Sequence, residues 1–186
     1  MEFTPDSKTA LLVIDVQKGL DDPVFGKRNN PNAEDNISRI LSFWRSNERP
    51  VIHIQHCSVE PNSPLRPDRP GVEFKPEATP LPGEMIFQKS VHSAFIGTGL
   101  ESYLRSEHIE NVVIIGLTTD QCVSSTTRMA NNLGFNVLLV SDATATFDRL
   151  GPDGKEYSSE TIYSVHLASL HNEFCEVMTT ERLLSA

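Results

Sequence analysis

The sequence predicts an α/β fold, a three-layer sandwich with helices on both faces of a parallel sheet. Three observations carry this. Short β-branched runs without clear alternation recur along the chain, amphipathic stretches of helical period lie between them, and the two kinds of segment take turns. Strands apolar on both sides are buried on both sides, which is the habit of a covered parallel sheet. Right-handed crossovers then join them.

The first run, Ala10 to Ile14, follows a start without a basic leader and is broken at once by Asp15. It is too short for a signal peptide or a membrane span and reads as the first core strand. Ile37, Ile40, Leu41 and Trp44 share one helix face, and Arg49-Pro50 stops that helix. Val51 to Ile54 is the second strand. The segment from Ser58 to Gly83 holds Pro61, Pro64, Pro67, Pro70, Pro76, Pro80 and Pro82. It reads as an ordered surface excursion, either a lid over a site or a plain surface loop.

Met85 to Phe87 is a weaker third strand, Leu100 and Leu104 mark the next helix, and Val112 to Ile115 is the fourth strand. A helix over Cys122 to Leu133 ends at Gly134. Val137 to Val140 and, more weakly, Phe174 to Met178 complete six strands. Gly151-Pro152 and Asp153-Gly154 give Asp148 to Tyr157 the chemistry of a loop. No repeat appears, and residues 1–186 read as a single domain.

Composition narrows the function. With 38% apolar and 22% charged residues, the chain is an ordinary globular one. A net charge of -9 argues against generic attraction to nucleic acid or to anionic lipid, so the expected partner is a small molecule. Cys57, Cys122 and Cys175 form no paired framework and no ladder suited to structural zinc. A reducing cytoplasm is the simplest setting.

Ligands of open parallel sheets bind beyond the carboxyl ends of the strands. Asp15 closes the first strand, Lys89 follows the third, and Cys122 lies just past the fourth at the start of a helix. Unpaired amides at a helix N-terminus favour a thiolate, and a nearby Lys89 pushes the same way. A partly desolvated Asp15 has a raised pKa and suits proton transfer. Each residue also has a plain reading: Cys122 as a small core residue, Asp15 as a cap for the following turn, Lys89 as a solvated surface lysine. The combination changes the balance.

ALLVIDVQ (Ala10 to Gln17), KSVHSAF (Lys89 to Phe95), GLTTDQCVSST (Gly116 to Thr126) and SDATAT (Ser141 to Thr146) occur in this order over nearly the whole length. Together they resemble the isochorismatase-like cysteine hydrolases, which include nicotinamidases and N-carbamoylsarcosine amidohydrolases. The resemblance implies a Rossmann-like six-stranded parallel sheet of order 3-2-1-4-5-6 and a triad of Asp15, Lys89 and Cys122. It implies a cis peptide between Leu117 and Thr118, and an oxyanion hole made by the backbone N–H groups of Thr118 and Cys122. The implied reaction is hydrolysis of a small-molecule amide or related C–N bond. Asp15 takes the thiol proton, Cys122 forms a thioester, and Asp15 activates the water that releases it, while Lys89 holds the carboxylate and stabilises negative charge. No cofactor is implied, and a homo-oligomer, dimer or tetramer, is expected.

One feature departs from the nicotinamidases, which bind a metal through an Asp-x-His pair and a further histidine. Here the region reads HIQHCSVEPN; His53 and His56 lack the aspartate and lie three apart on a strand, so they face opposite ways. No metal is expected. His53 reads as a core or interface histidine, whereas Gln17, His56, His92, Phe95 and Thr119 are candidates to line a substrate pocket. Asp142 reads as a partner of the local turn.

Three rivals follow from the same residues. An isochorismatase proper cleaves a vinyl ether without a covalent intermediate and characteristically lacks the cysteine. A catalytically silent binding protein on this fold would not need a complete triad. A redox-sensing thiol protein would use an oxidisable Cys122, but no resolving cysteine is apparent.

Overall fold

The computed structural model describes residues 5–185. Strands β1 (Ala10–Ile14), β2 (Val51–His56), β3 (Met85–Lys89), β4 (Asn111–Leu117) and β5 (Asn136–Ala145) appear in chain order. A two-residue hairpin, β6 (Arg149–Leu150) with β7 (Glu156–Tyr157), then stands apart, and β8 (Glu176–Met178) is the last strand. The main sheet has the order β3-β2-β1-β4-β5-β8 and is parallel throughout. With β8 as its sixth strand, this is the order the resemblance implied.

Successive residues of β1 point to opposite faces, so its apolar run feeds two cores. Ala10, Leu12 and Ile14 pack with Leu100 and Leu104 of α2 (Leu100–Ser106) and Ala130 of α3 (Ser124–Asn132). Leu11 and Val13 pack with Ile37, Ile40, Leu41 and Trp44 of α1 (Ala33–Ser46) and with Leu183 of α5 (Thr180–Leu184). Burial of a large aliphatic side chain contributes roughly 1.5–3 kcal/mol, so these layers dominate the stability. Trp44 is fully buried, with its indole N–H donating to the Thr9 carbonyl at 3.0 Å.

Several sequence expectations change. Helix α4 (Ser159–Leu170) was not expected; SETIYSVHLASL spreads its apolar side chains around the helix, and only Ser159 and Leu170 are buried. Strand β5 runs five residues beyond Val140, past an irregularity in its pairing with β4 between Ile114 and Gly116. Asp142 therefore lies inside a strand, and its Oδ1 accepts from the Thr180 N–H at 2.8 Å and the Thr180 hydroxyl at 2.7 Å. It secures the start of α5, not a local turn. The expected loop from Asp148 to Tyr157 contains the hairpin β6–β7, closed by Gly151 N–H donating to Lys155 O at 2.8 Å.

Candidate active site

Two adjacent strands turn at the same level to open the site. Ile14 pairs with Gly116, and the next residue, Asp15, adopts φ 50°, a left-handed conformation that aspartate tolerates better than most residues. Gly116 has φ 117°, and a Cβ there would lie 2.1 Å from the Ile14 carbonyl oxygen. Glycine is therefore required for the two backbones to approach. Beyond it, the Leu117–Thr118 peptide is cis.

Asp15, Lys89 and Cys122 converge. The Lys89 ammonium donates to Asp15 Oδ2 at 2.6 Å and to Cys122 Sγ at 3.3 Å, and its Nζ lies 3.2 Å from His56 Nδ1. All three residues are buried, with relative exposures of 2% for Asp15, 3% for Lys89 and 9% for Cys122. Lys89 is thus no surface lysine, and the Asp15 carboxylate serves an ion pair instead of capping a turn. An Asp15 oxygen, a His56 ring nitrogen and Cys122 Sγ lie within 4.8 Å of one another, a spacing that suits a metal. Lys89 contacts all three residues, so an ammonium already supplies the positive charge there.

The protonation pattern corrects one expectation. Cys122 is the fourth residue of a five-residue π-helical turn, Thr119–Val123, that precedes α3, and it does not sit free at a helix N-terminus. Burial pushes its thiol up, and the Asp15 carboxylate pushes it further, against the opposing pull of Lys89. The resting group is a thiol. Burial also raises Asp15 above the ordinary aspartate value of 3.8, although Lys89 counters it. Burial first, then Lys89, lowers His56 to about 4, so the ring beside the ammonium is neutral at pH 7.

Asp15, His56 and Cys122 line a cavity of about 150 Å³, together with Thr118 and His92, while Lys89 lies behind them. His92 is exposed, and its Nδ1 lies 3.6 Å from Cys122 Sγ. Of the five pocket candidates, His56 and His92 line the cavity and three do not. Gln17 is fully buried and bound to main chain: its Nε2 donates to His56 O at 3.0 Å and Val72 O at 2.8 Å. Phe95 stacks on Phe135 in the core with centroids 5.9 Å apart, and Thr119 is buried with its hydroxyl donating to Thr144 Oγ1 at 2.9 Å. His53 is likewise buried, with Nε2 at 2.8 Å from Glu84 Oε2.

The rest of the lining was not legible beforehand. It comprises Leu20, Phe25, Ser63, Leu65, Leu117, Gln121 and Arg149. Ser63 and Leu65 come from the proline-rich excursion, whose proline spacing was the one available signal. Arg149 is held by Asp120, Nε donating to Oδ2 at 2.8 Å and Nη2 to Oδ1 at 3.1 Å. Cys57 donates its backbone N–H to Lys89 O at 2.7 Å, and Cys175 is buried in the core. Among the described residues, no helix is long and apolar enough to cross a membrane.

A family model described as the isochorismatase domain matches residues 9–182. The isochorismatase family protein YrdC of Bacillus subtilis is 47% identical over 180 residues, spanning 97% of this chain and 96% of its own length. The ureidoacrylate amidohydrolase RutB of Agrobacterium fabrum is 34% identical over 107 residues, 55% of this chain and 45% of its own. The crystal structure of an isochorismatase-family hydrolase from Chromobacterium violaceum superposes with a TM-score of 0.94 at 44% identity, covering 99% of this chain and 96% of that one. Sheet order, sequence and superposition agree, and this chain belongs to the isochorismatase family of hydrolases.

Proposed function

We propose that the protein is a cysteine hydrolase that cleaves a small-molecule amide or related C–N bond through a thioester on Cys122. One observation carries the reading: a single buried ammonium, Lys89, binds both the Asp15 carboxylate and the Cys122 sulfur on the wall of a cavity. A carboxylate beside a thiol in a dry site is a base next to a nucleophile. The cation between them offsets the negative charge that passes from oxygen to sulfur.

In the first half-reaction, Asp15 takes the Cys122 proton while sulfur bonds to the substrate carbonyl carbon. The resulting oxyanion is received by the backbone N–H groups of Thr118 and Cys122. Protonated Asp15 then gives its proton to the leaving nitrogen, the C–N bond breaks, and the thioester remains. Water hydrolyses it in the second half. A raised Asp15 pKa suits both acts, because the group must take a proton and then surrender it.

A volume of about 150 Å³ limits the part of the substrate enclosed to roughly a benzene-sized group. The amidohydrolase among the relatives supports the C–N class. The test is ammonia release from small primary amides, ureido acids and nicotinamide, with intact-mass detection of an acyl adduct. Turnover with an adduct on Cys122, both lost in Cys122→Ala, supports the proposal. Undiminished amide turnover by Cys122→Ala would refute covalent catalysis, and vinyl ether cleavage without an adduct would favour the isochorismatase reaction.

A further inference from the structure

We infer that Asp120 and Arg149 are positioning residues for the oxyanion hole: their paired side chains hold the π-helical turn on which Thr118 and Cys122 present their N–H groups. The inference rests on the role proposed above for those two groups in the thioester reaction. Asp120 stands two residues after Thr118 and two before Cys122. Its carboxylate accepts two hydrogen bonds from Arg149, at 2.8 and 3.1 Å, and a third from the Thr146 hydroxyl. With the Asp120 side chain 7% exposed, solvent screens the pair little.

A single π-helical turn is a rare element that continues no regular ladder before it. Within this one, Gln121 and Val123 both donate their N–H to Thr118 O, at 3.1 and 3.2 Å. Further restraint comes from the far end of β5. The Thr119 hydroxyl donates to Thr144 Oγ1 at 2.9 Å, while Thr146 and Arg149 hold Asp120. That segment is itself pinned on another side. Asn30 Nδ2 donates to Thr144 O at 2.7 Å, the Thr146 N–H donates to Asn29 Oδ1 at 2.8 Å, and the Asp148 N–H donates to Lys27 O at 2.9 Å. The brace thus runs from residues 27–30 through residues 144–149 to the turn, and a donor held by rigid neighbours keeps its aim.

Charge favours the same pairing. A bare carboxylate two residues from Cys122 would oppose negative charge on the sulfur and on the oxyanion, and Arg149 cancels it. Burial alone would raise the Asp120 pKa, but hydrogen bonds from Arg149 and Thr146 bring it below the ordinary 3.8, so the carboxylate is ionised at neutral pH.

Two reactions of the same thiol separate the aim of the N–H groups from the reactivity of the sulfur. p-Nitrophenyl acetate acylates Cys122 through a tetrahedral oxyanion: sulfur bonds to the carbonyl carbon, the thiol proton passes to Asp15, and p-nitrophenolate leaves with its electron pair. Iodoacetamide alkylates that sulfur by displacing iodide and forms no oxyanion. In Asp120→Asn, and in Arg149→Lys, which keeps a cation but loses the two-pronged contact, acylation should slow by about a hundredfold, as for a misplacement of about 1 Å. Alkylation should not slow, since neither change adds negative charge near the sulfur. Intact mass locates both adducts, and the assays run below each variant's thermal midpoint. Arg149→Lys leaves Asp120 a cationic partner and carries the test if Asp120→Asn does not fold. Unchanged acylation in either folded variant overturns the inference. An equal slowing of both reactions also overturns it, because the pair would then act on the sulfur or on the fold as a whole. If the unaltered protein takes iodoacetamide at Cys122 but no acetyl group, the thioester reading itself falls, and this inference falls with it.

Discussion

Gln17 holds the main chain of His56 on both sides: its Oε1 accepts from the His56 N–H at 2.8 Å, and its Nε2 donates to the His56 carbonyl at 3.0 Å. The same Nε2 donates to Val72 O at 2.8 Å, so one amide ties the end of β2 to the excursion that walls the cavity. Gln17→Glu keeps the volume but replaces the donor with a carboxylate oxygen facing two carbonyls. It should destabilise the fold by about 2–4 kcal/mol, as expected for buried polar groups left unsatisfied. The urea midpoint checks this, and an unchanged midpoint would show that the clamp carries no energy.

Removing the partner of Lys89 should be costly. Asp15→Asn leaves a buried ammonium without its counter-charge, a change worth about 3–5 kcal/mol in buried pairs. Chemical denaturation measures it. For the unaltered enzyme, Asp15 must be ionised to take the thiol proton, so kcat/KM falls as pH drops through its pKa. Burial raises that pKa above 3.8, so the acid limb of the profile should have its midpoint above that value. A midpoint at or below 3.8 would remove Asp15 as the base.

Gly116→Ala tests the close approach of β1 and β4. Its Cβ would meet the Ile14 carbonyl oxygen at 2.1 Å in a conformation that L residues rarely adopt. The Ile14 backbone cannot retreat without moving the adjoining Asp15, nor the Gly116 backbone without moving Leu117 and Thr118. A loss of about 3 kcal/mol or more, read from the unfolding midpoint, is expected together with loss of activity. A variant of ordinary stability would show that the two strands can separate.

Glu34 gives a pH-dependent stability term that can be isolated. Burial alone would raise it, but hydrogen bonds from Arg28 and Lys75, with their charges, bring it down to about 2. A depressed carboxylate contributes stability that is complete above its ordinary value of 4.5 and is lost as pH falls from there toward 2. Glu34→Gln should cost about 2 kcal/mol at pH 7 and lose this part of the acid dependence. Stability curves of the two proteins should therefore converge below pH 4.5; parallel curves would contradict the assignment.

Much of the fold was legible because its signals are local. A run such as Ala10 to Ile14, apolar at every position, can be satisfied only between two layers, and the β1 residues do divide between two cores. Strand ends then drew attention to Asp15, Lys89 and Cys122 without any knowledge of their distances. Helix α4 escaped because its apolar residues trace no stripe, and the partner of Asp142 escaped because Thr180 lies far along the chain.

The sequence by itself determined the layered α/β class and brought forward Asp15, Lys89 and Cys122 as candidates, since periodicity and strand termini are properties of neighbouring residues and the family motifs joined the three. Only the tertiary structure decided which neighbours face the cavity, turning Gln17, Phe95 and Thr119 inward and bringing Leu65 and Arg149 to its wall. It also decided that the Cys122 group rests as a thiol. Both follow from burial: desolvation and enclosure are set by segments that meet only when the chain is folded, and no local pattern encodes them.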